Sequence, residues 1–116
     1  MNLKKMLLVA SVASSVILCG SVHARGQATG TVDSLTASAG VTNVFLSERI
    51  TPVNGETIPA CATRDQNFAL GPDQRNQLAI LLTALALGSE VRITGSDTCN
   101  VRAGTEDISS IRVLGQ

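Results

Sequence analysis

Apolar side chains recur at roughly every second position through most of this chain and switch to a three-and-four spacing once. Residues 29–36 alternate loosely, with Val32 and Leu35 among polar neighbours, and predict a first strand that ends toward Ala39-Gly40. Residues 41–50 predict the clearest strand, because Val44, Leu46 and Ile50 fall at even spacing with Asn43, Ser47 and Arg49 interleaved. Pro52-Val53-Asn54-Gly55 carries turn chemistry: Asn-Gly accepts positive φ, which predicts a return into a hairpin partner. That partner, the third strand, is expected over residues 58–63, extending irregularly through Phe68-Ala69-Leu70.

The change of period follows Gly71-Pro72-Asp73. Proline is tolerated in a first helical turn, an aspartate there meets the positive end of the helix dipole, and Gly88 is a stop, so a helix is predicted over 73–87. Leu78, Leu81, Leu82 and Leu85 form the stripe expected on the core. Ile80 and Leu87 lie nearly opposite, with Ala79, Thr83, Ala84 and Ala86 along the sides, so the helix is apolar almost all round from Leu78 onward. A helix on a small β-domain buries one face, and a second burial surface is therefore implied: a loop or terminus of the same chain, or an oligomer or partner interface. On the interface reading the outer face is Ile80, Ala84 and Leu87. Arg75 is the one cation of this segment, which disfavours a helix lying on a membrane.

Beyond Gly88, residues 90–94 alternate cleanly as a strand, Gly95-Ser96-Asp97 turns the chain, residues 101–107 read as a polar loop, and Ile108, Ile111 and Val113 predict a last strand. The chain is then mainly β with one helix in the order β-β-β-α-β-β, the order of the OB-fold, a five-stranded Greek-key barrel. That fold hosts many functions and selects none.

Composition divides the chain in two. Lys4 and Lys5, an apolar run from Met6 to Leu18 and Val22-His23-Ala24 read as a secretory signal over residues 1–24, cut after Ala24. The alternatives are a lipoprotein signal acylated on Cys19, disfavoured by the bulky Ile17-Leu18 pair, and an uncleaved anchor, disfavoured by a span shorter than the roughly 20 residues a membrane helix needs. The remaining domain, residues 25–116, has no predicted transmembrane segment and is expected to be secreted or periplasmic. Its seven arginines against nine carboxylates leave a net charge of −2, and both lysines, the single His and both Met depart with the signal. No basic run survives to bind nucleic acid, and with Phe45 and Phe68 as the sole aromatics there is no stacking platform.

Cys61 and Cys99 remain as an even pair in a chain bound for an oxidising compartment, which predicts one structural disulfide. A redox-active pair normally shows C-x-x-C spacing, and a metal site needs more ligands than lie nearby. Other chemistry is equally sparse. Glu106-Asp107 and the Arg64-Asp65 pair read as solvated loop residues, adjacent carboxylates on one strand or loop pointing apart rather than forming an acid and base pair. Ser109-Ser110 have no histidine to activate them, and Asp97 and Asn100 do not have the spacing of a calcium loop. The expectation is a protein that is not an enzyme and uses no cofactor or metal.

One resemblance spans roughly residues 32–98. The run Ile58-Pro59-Ala60-Cys61-Ala62-Thr63-Arg64-Asp65-Gln66-Asn67-Phe68-Ala69, the Leu-rich helix, and then Gly88-Ser89-Glu90-Val91-Arg92-Ile93 resemble the B subunits of subtilase cytotoxin and pertussis-like toxins, in which such motifs occur in the same order. The resemblance implies a secreted OB-fold that assembles as a ring of five, with its helices facing a central pore, binds sialylated cell-surface glycans and carries a catalytic A subunit. It does not extend to the family's sugar pocket, a serine beside acidic and aromatic residues near the mature N-terminus. Residues 25–30 hold no such cluster, so no glycan-binding residue is transferred. The contrasting expectation is a periplasmic structural or stress-related OB-domain that binds a protein or small ligand as a monomer or dimer.

Overall fold

A computed structural model describes residues 24–114, so the expected signal segment up to His23, Cys19 included, lies outside the described residues. The elements are β1 (Gly26–Ser38), β2 (Val41–Leu46), β3 (Thr51–Pro52), β4 (Asn67–Leu70), α1 (Arg75–Leu87), β5 (Glu90–Gly95) and β6 (Glu106–Val113). The first half of β1 pairs antiparallel with β5 and its second half with β2; β2 pairs with β4, β4 runs parallel to β6, and β6 returns antiparallel to β5. The circuit β1-β2-β4-β6-β5-β1 closes a five-stranded OB-fold-like barrel, with β3 as an extra two-residue strand on β1. One strand can serve two neighbours because it bends, and the pairing register of β1 slips between Val32 and Ser34 as a bulge that turns the strand around the barrel.

Inward positions follow the two-residue period. Val44 faces Phe68 across β2 and β4, and Val91 and Ile93 fill the β5 side; all four are fully buried with Leu70 and Leu81. Each such side chain contributes about 1.5–3 kcal/mol through the apolar surface it removes from water.

The second strand stops at Leu46, four residues earlier than alternation predicts. Beyond it Ser47 donates its N–H to the Thr31 carbonyl and Ile50 to that of Asp65, so the chain leaves the β4 edge while Ile50 still drops into the core. The Asn54-Gly55 turn forms, with Gly55 at φ +80 and Glu56 N–H closing on the Val53 carbonyl, but it follows the short β3 that lies on β1, with Val53 N–H on the Arg25 carbonyl, and does not open a hairpin with a third strand. Residues 58–63 are a loop. Its backbone is satisfied by a turn from Ala62 N–H to the Pro59 carbonyl and by Thr63 N–H on the Gly104 carbonyl, and the real third barrel strand is the four-residue β4.

Helix α1 packs against β1 and β6 and starts at Arg75, two residues later than expected. Gln74 precedes it and uses its amide to accept from Gly71 N–H at 3.0 Å and donate to the Ile108 carbonyl at 2.8 Å. Gly88 ends the helix in the left-handed conformation, φ 65, with Ser89 N–H closing on the Ala84 carbonyl. The buried stripe is Leu81 and Ala84 with Leu78 half-buried, which corrects two expectations at once. Leu82 and Leu85, expected on the core, are exposed, and Ala84, expected on the outer face, is 1% exposed and part of the core. The side that contacts the barrel is chosen by close approach: alanine at 84 admits the helix backbone where a leucine would hold it away. Ile80 and Leu87 do lie outside, at 38% and 66% exposure. No helix among the described residues is long and apolar enough to cross a membrane.

Candidate functional site

Two connections outside the barrel wall carry most of the polar organisation, residues 56–66 between β3 and β4 and residues 96–105 between β5 and β6. Cys61 and Cys99 join them, with Cα atoms 6.1 Å apart and a separation of 38 positions in sequence. On the chain-entropy account a loop of that length adds about 4 kcal/mol of stability. A second link is Gly104, whose carbonyl accepts from Thr63 N–H at 3.0 Å and Arg64 N–H at 3.1 Å.

The 96–105 connection is fastened by two consecutive carboxylates at the start of β6. Alternation along a strand sends neighbours to opposite sides, and Glu106 and Asp107 do separate in this way. Both are buried, so they are not the solvated loop pair that their sequence context suggests. Glu106 is 0% exposed and accepts from Gly26 N–H at 2.9 and 3.2 Å and from Asp97 N–H at 3.1 Å. Glycine at 26 and 95 is required by this contact, since a Cβ at either position would collide with the carboxylate. Burial pushes the Glu106 carboxyl above its ordinary value; the Asp97 and Gly26 N–H bonds pull the other way, and the charges of Asp97 and Asp107 add to the rise. Asp107 points to the loop, its Oδ2 accepting from Thr98 Oγ1 at 2.6 Å and Asn100 N–H at 2.9 Å and its Oδ1 from Val101 N–H at 3.0 Å. Asp97 and Asn100, weighed above as calcium ligands, contribute backbone N–H groups to this arrangement.

Where the β1–β2 turn meets the 96–105 connection there is a cleft of about 230 Å³ lined by Ser38, Val41, Asn43 and Arg102. Val44 and Leu46 point into the barrel, so Asn43 points out of it, yet Asn43 is only 3% exposed and forms the cleft floor. Its Oδ1 has no hydrogen-bond partner among the described residues. Arg102 is half-buried, and its guanidinium has no ion-pair or hydrogen-bond partner among the described residues, whereas Arg25 is paired with Glu56 at 2.6 Å and Arg49 with Asp65 at 3.6 Å. The cleft therefore offers an acceptor, a hydroxyl and a cation that the fold does not itself use.

A larger hollow of about 410 Å³ lies along β1, lined by Gln27, Ala28, Thr29, Glu48, Arg49 and Thr51. Its polar groups are mostly occupied: Gln27 bonds Thr94, Thr29 accepts from Arg92, Thr51 bonds the Gln27 carbonyl and Arg49 meets Asp65. The smaller cleft has the stronger case as a binding site.

Sequence reasoning did not single out Asn43 or Arg102. The one available signal was positional, since the turn between the first two strands and the connection between the last two are where OB-folds bind their ligands. The carboxylates of Glu106 and Asp107, which fasten the neighbouring connection, are taken up by backbone N–H groups. Compared with protein-family models, with curated proteins and with solved structures, the chain matches none.

Proposed function

We propose that this chain is a non-catalytic, exported binding module that takes a cell-surface glycan in the Ser38–Val41–Asn43–Arg102 cleft, and that it works as a homo-oligomer, a ring of five beside a catalytic A subunit, like the B subunits it resembles. The observation that carries the reading is the cleft itself, set between the two connections with which OB-folds hold oligosaccharides and furnished with unpaired polar groups. The planar guanidinium of Arg102 suits the carboxylate of a sialylated sugar through two parallel bonds, and Asn43 Oδ1 and the Ser38 hydroxyl suit sugar hydroxyls. No aromatic ring lines the cleft, so a single site binds weakly, with Kd on the order of 1 mM. Several copies in one assembly would raise avidity by about 10²–10⁴, which gives the oligomer a physical purpose. The exposed Ile80 and Leu87, two turns apart on one side of α1, supply an apolar face for assembly.

Titration of the ¹⁵N-labelled domain, residues 25–116, with 3′-sialyllactose tests this. The expected result is saturable shifts at Ser38, Val41, Asn43 and Arg102, weakened about tenfold or more by Arg102→Ala, the cost of one lost charge-assisted contact. Shifts confined to other residues, or none, would overturn the glycan reading.

A further inference from the structure

We propose that Asp107, which does not line the cleft, is the positioning residue that sets it, by fixing the loop that delivers Arg102; this rests on the reading of the cleft as the ligand site. Arg102 belongs to a connection whose only ladder contact is the isolated bridge to Thr105. Because its guanidinium touches no other described side chain through a polar bond, main-chain anchoring decides where the cation stands.

That anchoring converges on one residue. Asp107 makes five bonds to the connection: its carboxylate accepts from Thr98 Oγ1, Asn100 N–H and Val101 N–H, its own N–H donates to the Thr98 carbonyl at 2.8 Å, and its carbonyl accepts from Ser96 N–H at 3.0 Å. The carboxylate bonds end at Val101, the residue directly before Arg102. On the other side Gly104 is held through its carbonyl by Thr63 and Arg64, so Arg102 hangs between two anchors, one of them a side chain. A carboxylate suits this position because it only accepts, and three donors converge on it. An amide in its place keeps one acceptor oxygen and turns an NH₂ toward N–H donors, so Asp107→Asn leaves either Asn100 N–H or Val101 N–H without its acceptor while the two main-chain bonds of residue 107 remain.

The test compares the wild-type domain with Asp107→Asn and with Thr98→Val, which removes one donor and leaves the carboxylate. Three readouts are followed: amide exchange at Asn100 and Val101, the Arg102 Nε–H resonance, and the affinity for 3′-sialyllactose. The expected result for Asp107→Asn is exchange at Asn100 or Val101 faster by about tenfold or more, a narrowed Arg102 Nε–H line, sugar affinity reduced by a similar factor, and unchanged exchange in β1, β2 and β5. Thr98→Val moves the same quantities less, and decides alone if Asp107→Asn does not fold. Unchanged exchange at Asn100 and Val101 overturns the proposal, as does a loosened loop with undiminished sugar affinity, or exchange that rises equally throughout the barrel. If the wild type binds no sugar, the glycan reading fails by itself, and the exchange rates and the Arg102 resonance still decide whether Asp107 fixes the cation.

Discussion

The barrel interior and the loop layer on its flank are held by different forces. Inside, Val44, Phe68, Leu70, Leu81, Val91 and Ile93 are fully buried and nondirectional apolar packing dominates. On the flank, residues 96–105 bury little apolar surface and depend on directed bonds to Glu106 and Asp107 and on the Cys61–Cys99 bridge. Packing of the first kind tolerates changes of shape and resists changes of volume; bonding of the second kind is the reverse, since replacing one oxygen by a nitrogen leaves volume untouched and removes the partner. The lesson is that the one cation of the cleft, Arg102, sits on the second kind of support, where single side chains decide geometry, while Asn43 is carried by the barrel wall itself.

The largest expected effect lies in the interior. Phe68→Ala should lower unfolding free energy by about 3–5 kcal/mol in denaturant titrations, and a loss below about 1 kcal/mol would break the contrast by showing that the interior is not the main source of stability. A smaller effect tests the flank through pH. Folding raises the affinity of Glu106 for its proton, so its contribution to stability is largest in acid and falls as pH rises from the ordinary glutamate range through the raised folded value. Glu106→Gln removes that slope, and its denaturation midpoint relative to wild type should climb as pH rises above the ordinary glutamate range. A relative midpoint that drops over the window would mean that the N–H bonds outweigh burial. The smallest effect is outside both regions: Leu87→Glu should change monomer stability by no more than about 0.5 kcal/mol, because the side chain is 66% exposed, while sedimentation should register loss of any helix-mediated oligomer.

Much of the interior was legible in the sequence, because period-two and period-3.6 spacing are local signals. The element order and the helix could be read from them, and the disulfide from the even pair Cys61 and Cys99. Three features could not. Strand β4 shows no alternation, since all four of its residues are buried. The phase of α1 depends on Ala84, which hydropathy ranks below Leu82 and Leu85 but which fits against the barrel. Glu106 looked solvated because its partner, the Gly26 N–H, comes from the opposite end of the domain. The cleft was illegible for the same reason: Asn43 and Arg102 become neighbours only once the barrel has closed.

The bond from Gly26 to Glu106 spans 80 residues and joins the first strand to the last. It also sets the order of assembly. Loop-closure entropy must be met before such a contact gives anything back, so the barrel cannot seal while its final strand is still being synthesised. Until then Gly26, at the start of β1, lacks the carboxylate that fastens it.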